Sequence, residues 1–342
     1  MTDIERGELL LRATDVVKHF PLGSGVRVGR GPRPVVHAVD GVSLDVRRGE
    51  TLGVVGESGC GKSTLGRCLV RLTDLTSGRV EFAGQDITTL SRRQLRPVRR
   101  DVQLVFQDPY ASLNPRRRVG DVVAEPLQIH GYGTPATVRN RVAELFDVVG
   151  LSPAHVDRYP HEFSGGQRQR VGIARALAMQ PRLIVADEPV SALDVSIQAQ
   201  VLNLFADLQD DLGLTYVFIA HDLGVVRHVS DRIAVMYLGV IVEVADADPL
   251  YDAPAHPYTE ALLSAAPEID DGTEQEPRQR IVLTGDVPNP VDKPTGCPFH
   301  PRCPYAQDVC RTERPPLEQV APGRFTACHF PLITGTGTPS VR

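Results

Sequence analysis

One stretch of the sequence decides the fold: Gly56-Glu57-Ser58-Gly59-Cys60-Gly61-Lys62-Ser63, which fits the pattern G-x-x-x-x-G-K-[ST]. An apolar strand pattern at 51–55 precedes it, and a helical pattern over 62–72 follows. Backbone N–H groups in such a loop point inward and, with the positive end of the helix, bind phosphate oxygens. Lys62 adds a positive charge, and Ser63 offers a hydroxyl to Mg²⁺. The stretch therefore predicts a nucleotide-binding P-loop.

A second buried strand pattern ends in two carboxylates. The apolar run 183–186 is followed directly by Asp187 and Glu188. Asp187 is predicted to hold the water shell of Mg²⁺, and Glu188 to polarise the water that attacks the terminal phosphoryl group. Apolar strands that end in acids are common, so this prediction depends on the P-loop beside it.

A second helix start suited to phosphate follows Phe163. The segment Ser164–Gln167 supplies a hydroxyl and two glycines, and a helix is predicted over 168–179. An ordinary N-capped helix is the alternative. A second phosphate-binding helix start has no role in a monomer, so the pattern predicts that the domain faces a copy or a homologue, each closing on the other's ATP.

The order of these motifs resembles the ABC ATPase superfamily over residues 9–245. The resemblance implies that Gln107 touches Mg²⁺ and the attacking water, that His221 contacts the γ-phosphate, and that Phe20 stacks on adenine. It assigns ATP binding to Phe20, Gly56, Glu57, Ser58, Gly59, Cys60, Gly61, Lys62, Ser63, Thr64 and Gln107. It assigns Mg²⁺ binding to Ser63, Gln107 and Asp187, and catalysis to Glu188, His221 and Gln107. Contact with the partner's ATP is assigned to Ser164, Gly165, Gly166 and Gln167. The D-loop, which crosses to the partner, is assigned to Ser191, Ala192, Leu193 and Asp194.

The expected fold is an α/β P-loop cassette over 1–245, followed by a small irregular module over 246–342. By the family resemblance the cassette has a RecA-like parallel core, an antiparallel β subdomain and a helical subdomain at about 109–180. Apolar residues at Val138, Val142, Leu145 and Val149 predict one face of an amphipathic helix in that subdomain, with Thr134–Pro135 at its start. Frequent prolines beyond residue 245 mark the change from the cassette to this irregular module.

Three further stretches resemble the ATP-binding subunits of oligopeptide and dipeptide importers: 106–116, His256-Pro257-Tyr258-Thr259 and 296–304. The P-loop form resembles the F subunit of the D/F pair. The resemblance implies a second cassette (homologous, D-type, or identical), two transmembrane permeases touched by 110–118, and an extracytoplasmic substrate-binding protein. Nickel chelates or glutathione remain alternative cargoes, because the same branch transports them.

Composition limits the other possibilities. The formal net charge of −5 and the isoelectric point of about 6.1 argue against a protein that coats nucleic acid. A DNA-repair ATPase is the alternative from another class. Such chains usually insert long coiled coils or zinc modules between the P-loop and the second helix start, whereas only about 100 residues, without sustained heptads, separate Lys62 from Glu162 here. The sequence has no signal peptide and no membrane-spanning run, so we expect the chain at the cytoplasmic face of the membrane, held there by permeases.

Four of the six cysteines fall near the C-terminus with the spacing C-x5-C-x6-C-x17-C; they are Cys297, Cys303, Cys310 and Cys328. Unconnected thiols and a zinc site are both open, although the tight C-x2-4-C pairs usual for zinc are missing. Resemblance to those importer ATPases that carry a [4Fe–4S] cluster in this tail favours a cluster, which tolerates wider spacing. Cys60 and Cys68 belong to the P-loop and its helix and are not expected to be ligands.

Overall fold

The computed structural model describes residues 7–22, 34–108, 112–265 and 280–333. The described strands are β1 (Leu9–Pro21), β2 (Val35–Arg47), β3 (Thr51–Val55), β4 (Ser77–Phe82), β5 (Gln85–Asp86), β6 (Val102–Val105), β7 (Leu183–Asp187), β8 (Thr215–Ala220), β9 (Arg232–Tyr237), β10 (Val240–Asp246), β11 (Glu318–Ala321) and β12 (Arg324–Thr326). The described helices are α1 (Lys62–Leu69), α2 (Leu95–Asp101), α3 (Val119–Ile129), α4 (Pro135–Val148), α5 (Gly165–Leu177), α6 (Val195–Leu212), α7 (Leu223–Val229), α8 (Ala247–Asp252), α9 (Pro257–Ala265) and α10 (Asp308–Thr312).

The chain divides into two compact units. The first contains 46–50 and 89–219, and the second contains 10–45, 51–88 and the residues from 220 onward. The sequence-based boundary near 245 falls inside the second unit, so the P-loop and the C-terminal residues belong to the same compact body. None of the helices in the described ranges has the length and apolar content needed to cross a bilayer.

In the first unit three strands lie side by side in the order β8-β7-β6, and both neighbouring pairs are parallel. Every residue of β7 is buried, as expected for a parallel strand covered on both faces. The helices α3, α4 and α5 pack against one another. In α4 the predicted start is confirmed: the Thr134 side chain accepts a hydrogen bond from the N–H of Thr137, and Pro135 occupies the first turn.

The second unit contains an antiparallel group of strands in the order β2-β1-β4-β5 and a mixed group in the order β11-β12-β10-β9-β3. In the mixed group β3 pairs with β9 in parallel, which leaves the P-loop at the carboxyl end of β3. The predicted combination of parallel strands, an antiparallel β part and a helical part is therefore confirmed.

Two predicted helix bounds need correction. The helix after the P-loop ends at Leu69 rather than at residue 72, because Arg71 takes a left-handed backbone with φ 54°. The helix after Phe163 begins at Gly165, not at residue 168, because Ser164 caps it directly. The segment 110–118, expected to touch the permeases, begins with residues 110–111, which lie outside the described residues.

Candidate nucleotide site

The P-loop curls around the side chain of Lys62. This side chain is 3% exposed, and its ammonium donates hydrogen bonds to the backbone oxygens of Gly56 at 2.7 Å and Glu57 at 3.0 Å. Gly61 is the N-cap of α1 and has φ 109°, a conformation that side chains disfavour. Its position also leaves no space for a Cβ, which would lie 2.0 Å from the backbone oxygen of Ala38 in β2.

Glu57, inside this loop, is held by residues far along the chain. Its backbone N–H donates to the hydroxyl of Tyr258 at 2.9 Å, and its carboxylate accepts two hydrogen bonds from Arg302, at 2.8 and 3.1 Å. Both partners lie in stretches that the sequence marks only as similar to a transporter branch. Neither received a role from the sequence, because no local spacing connects residue 57 with residue 302.

The predicted carboxylates lie at the end of β7. Asp187 is 1% exposed, and Glu188 takes a left-handed backbone with φ 46° while its N–H donates to the oxygen of Ile219 at 2.9 Å. The amide nitrogen of Gln107 donates to Oε2 of Glu188 at 2.9 Å. The structure therefore joins two residues that the sequence places 81 positions apart. Unfavourable backbone geometry at a polar residue is frequent in functional sites.

The D-loop is tied back to these carboxylates. The Ser191 hydroxyl donates to the backbone oxygen of Glu188 at 3.1 Å. The side-chain amide of Gln198, on α6, donates to the oxygens of Val190 and Leu193, both at 3.0 Å. Gln198 was missed by the sequence analysis, although it lies just four residues after Asp194, in the first turn of the next helix.

The Ser164–Gln167 segment forms a capping box. The Ser164 hydroxyl accepts from the N–H of Gln167 at 3.3 Å, and the Gln167 side chain accepts from the N–H of Ser164 at 3.0 Å. Both side chains are exposed. Behind them a Cβ on Gly166 would lie 2.4 Å from Ile197, so glycine lets the start of α5 lie close to the start of α6.

Phe20 and His221 both belong to the second unit, together with the P-loop. Phe20 lies near the end of β1 with 40% of its surface exposed and the Lys18 ammonium 4.9 Å from its ring centroid. His221 follows β8 and is exposed, and Asp222 beside it caps α7 by accepting from the N–H of Gly224 at 2.7 Å. Gln107, the carboxylates, the D-loop and Ser164–Gln167 belong to the first unit.

The four C-terminal cysteines line one cavity, together with His256, Phe299 and other side chains. Burial raises the pKa of Cys303 to about 11 and that of Cys328 to about 12, and it also raises the pKa of Cys297. Thiolates are therefore disfavoured there unless a cation compensates them.

The distances between the cysteine sulfur atoms can be compared with those that a tetrahedral zinc site requires. Among the described residues, a set of three potential ligand atoms within 4.8 Å of one another occurs at His19, His37 and Asp40, and no three cysteines form such a set. Tetrahedral zinc with Zn–S bonds of 2.3 Å needs sulfur atoms about 3.8 Å apart. No three of the four C-terminal cysteine sulfurs, all of which lie in the described ranges, have the mutual distances of such a zinc site.

Comparisons with known proteins agree with the geometry. A family model described as "ABC transporter" matches residues 39–191, and one described as "Oligopeptide/dipeptide transporter, C-terminal region" matches 242–310. The solved post-hydrolysis dimer of the ATP-binding cassette MJ0796, bound to ADP and Pi, superposes with a TM-score of 0.62 at 29% identity, covering 70% of this chain and 99% of that one. CbiO1 from Clostridium perfringens gives 0.61 at 26% identity, covering 72% of this chain and 91% of that one. The fold is that of an ABC ATPase cassette.

Two relatives match over nearly their whole length. The oligopeptide transport ATP-binding protein AppF of Bacillus subtilis is 53% identical, covering 94% of this chain and 98% of that protein. The di/tripeptide transport ATP-binding protein DppF of Pseudomonas aeruginosa is 52% identical, again covering 94% and 98%. The chain belongs to the family of ABC ATPases that serve as oligopeptide and dipeptide transport ATP-binding proteins.

Proposed function

We propose that this chain hydrolyses ATP to drive the import of di- or oligopeptides through an ABC transporter. The similarity to peptide-transport ATP-binding proteins over 94% of the chain carries the proposal. The test is ATP hydrolysis by the transporter reconstituted in liposomes with its permeases and binding protein. Peptides are expected to stimulate hydrolysis and to accumulate. Stimulation by nickel chelates or glutathione alone would contradict the peptide assignment, and retention of the chain on nucleic acid at physiological salt would favour the DNA-repair alternative.

The residues of the P-loop bind the phosphates in this proposal. Backbone N–H groups over 56–64 and the Lys62 ammonium contact the β- and γ-phosphates, and Phe20 stacks on adenine. The Ser63 hydroxyl, Asp187 and Gln107 hold Mg²⁺ and its water shell, and Mg²⁺ neutralises charge on the phosphates. The burial of Lys62 among loop oxygens supports its role as the charge at the centre of the loop.

Hydrolysis is assigned to Glu188, which orients and polarises the attacking water. Its hydrogen bond with Gln107 supports a shared role, because the glutamine amide fixes one carboxylate oxygen and leaves the other for the water. His221 contacts the γ-phosphate in this scheme. The fixed backbone of Glu188, bonded to Ile219, keeps the carboxylate in place.

We propose further that two cassettes close on two ATP molecules, the partner being a D-type homologue or an identical chain. The exposed hydroxyl of Ser164 at the start of α5, with Gly165, Gly166 and Gln167, faces the partner's nucleotide. Ser191–Asp194 forms the crossing loop, and the ties from Gln198 give it a fixed shape in the single chain.

Ser164→Arg is expected to leave this chain's own ATP affinity nearly unchanged and to lower hydrolysis at the partner's P-loop, because the arginine blocks the surface that closes on the partner's nucleotide. The measurement pairs the variant with a partner carrying the only active P-loop. Arg139, exposed on α4, supplies the control as Arg139→Gln, which should hydrolyse ATP normally. Loss of nucleotide binding by the isolated Ser164→Arg chain would show that the segment serves its own site.

Coupling to the permeases is assigned to the helical part and to the segment 112–118 that follows Gln107. Arg175 on α5 donates to the backbone oxygen of Ser112 at 2.9 Å, and its guanidinium carbon lies 5.9 Å from the ring centroid of Phe106. Movement of α5 during closure is therefore transmitted to this segment. The chain would act at the cytoplasmic face of the membrane, where permeases hold it, while the external binding protein selects the cargo.

We also propose that 246–342 is a module distinct in function from the cassette over 1–245, and that Cys297, Cys303, Cys310 and Cys328 hold a [4Fe–4S] cluster. The shared cavity supports a common group held by the four side chains, and the sequence spacing without tight C-x2-4-C pairs favours a cluster over zinc. When bound, the cluster would supply iron charge that stabilises four thiolates and links chain segments with little apolar core of their own.

Anaerobically purified protein is expected to contain about four iron and four sulfide per chain. Cys297→Ser should lose the iron, whereas Cys68→Ala, which removes a buried thiol of α1, should retain it. Metal analysis and the visible absorption of the cluster check both variants. Stoichiometric zinc without iron, or an ordered tail with four metal-free thiols, would contradict the proposal.

A further inference from the structure

Glu57 is fastened at its backbone and at its side chain by two residues of the C-terminal region. Tyr258 accepts from the Glu57 N–H at 2.9 Å, and Arg302 donates to both carboxylate oxygens at 2.8 and 3.1 Å. We propose that Arg302 and Tyr258 are positioning residues of the ATP site, which hold the P-loop in its phosphate-binding shape. The inference rests on the proposed assignment of 56–64 to ATP.

The pair between Arg302 and Glu57 is well sheltered from water. The Arg302 side chain is 8% exposed and that of Glu57 is 25% exposed. Two parallel hydrogen bonds fix the orientation of the carboxylate as well as its distance, which a single lysine contact cannot do. The hydrogen bonds that Arg302 donates to Glu57 also raise the pKa of Arg302, so the guanidinium stays charged.

The hydroxyl of Tyr258 is equally fixed in place. The Tyr258 side chain is fully buried, and its ring centroid lies 4.7 Å from that of Tyr237 and 5.3 Å from that of Phe299. The third aromatic pair, Tyr237 with Phe299, closes the cluster at 5.3 Å. Tyr237 ends β9, which pairs with the P-loop strand β3. The three aromatic rings therefore connect the C-terminal region with the base of the loop.

The position of Tyr258 is fixed by hydrogen bonds within and around the stretch His256-Pro257-Tyr258-Thr259. The buried carboxylate of Glu243 on β10 accepts from the N–H groups of Ala255 and His256, both at 2.8 Å. Nδ1 of His256 then accepts from the N–H of Tyr258 at 3.0 Å. These bonds fix the start of α9, so the direction of the tyrosine ring is set by β10 rather than by the P-loop itself.

Glu57 transmits this positioning to the phosphate site through Lys62. The backbone oxygen of Glu57 accepts from the Lys62 ammonium at 3.0 Å, and the neighbouring Gly56 oxygen does so at 2.7 Å. If Arg302 releases the carboxylate, the Glu57 backbone can rotate and a contact of Lys62 is lost. ATP must then restore the loop as it binds, which lowers affinity without removing any group that touches ATP.

The test compares Arg302→Gln with Arg311→Gln, an exposed arginine nearby in the same C-terminal region, in the full-length chain and in the assembled transporter. Arg302→Gln is expected to raise the dissociation constant and KM for ATP about tenfold, or about 1.4 kcal/mol, with a smaller change in kcat. Amide exchange over 56–63 should quicken in Arg302→Gln and stay unchanged in Arg311→Gln. Glu57→Gln should have a similar effect, and the double variant should be no worse than either single one.

Unchanged ATP affinity and unchanged exchange in Arg302→Gln would overturn the inference. So would a loss confined to thermal stability or to the fraction of folded chains, because that outcome lowers apparent kcat and leaves KM alone. Additive effects of the two single variants would show that they do not act through each other. Failure of the wild-type chain to bind ATP would instead contradict the proposed function, so the two failures are distinguishable.

Discussion

Glu188→Gln is expected to lower the ATPase rate by about 100- to 10,000-fold, the range for removal of a general base, and to leave ATP binding intact. The replacement keeps the size of the side chain and removes the charge that polarises water. Gln107 donates to Oε2 of Glu188, and the amide oxygen of the new glutamine can accept the same bond. The fold and the phosphate-binding loop should therefore survive, and two cassettes should stay closed on unhydrolysed ATP.

Steady-state hydrolysis in the assembled transporter measures the loss, and equilibrium binding of ATP measures what remains. The matched control is Glu144→Gln, which removes an exposed carboxylate paired with Arg141 on the surface of α4. The control should keep wild-type activity, because exposed ion pairs contribute little to stability. A rate near wild type for Glu188→Gln would show that another group activates the water.

Local sequence patterns are sufficient for the P-loop and for β7, because each pattern is set by neighbours in the chain. Glycines, a lysine and a hydroxyl must follow one another to wrap a phosphate, and the apolar run 183–186 predicts a covered parallel strand, which is β7 with all five residues buried. The start of α4 at Pro135 was predicted for the same reason. The pattern after Phe163 predicts a helix from residue 168, whereas the capping box at Ser164 starts the helix at Gly165.

Long-range contacts could not be derived in this way. Tyr258 and Arg302 lie in stretches that the sequence marks by family resemblance, but no periodicity in the sequence predicts that both contact Glu57. The bond between Gln107 and Glu188 likewise depends on the adjacent positions of β6 and β7. The roles came from family resemblance, whereas the contacts come from the way strands bring distant segments together.

Gly61→Ala is expected to weaken ATP binding severely, and Gly59→Ala is its matched control in the same loop. Both glycines have a left-handed backbone, with φ 109° for Gly61 and 79° for Gly59, so both alanines carry conformational strain of about 1–3 kcal/mol. Their surroundings differ. A Cβ on Gly59 meets no atom within 4 Å, while a Cβ on Gly61 would lie 2.0 Å from the backbone oxygen of Ala38.

The clash at Gly61 cannot be relieved by a side-chain rotation, because the opposing atom belongs to the backbone of β2. The start of α1 must move instead, and ATP would have to restore it on binding. We expect the affinity to fall at least about a hundredfold further than in Gly59→Ala, or roughly 3 kcal/mol. Titration of the full-length variants with a fluorescent ATP analogue measures the difference, and circular dichroism confirms that both are folded. Equal affinities would mean that the close approach of Ala38 does not shape the phosphate site.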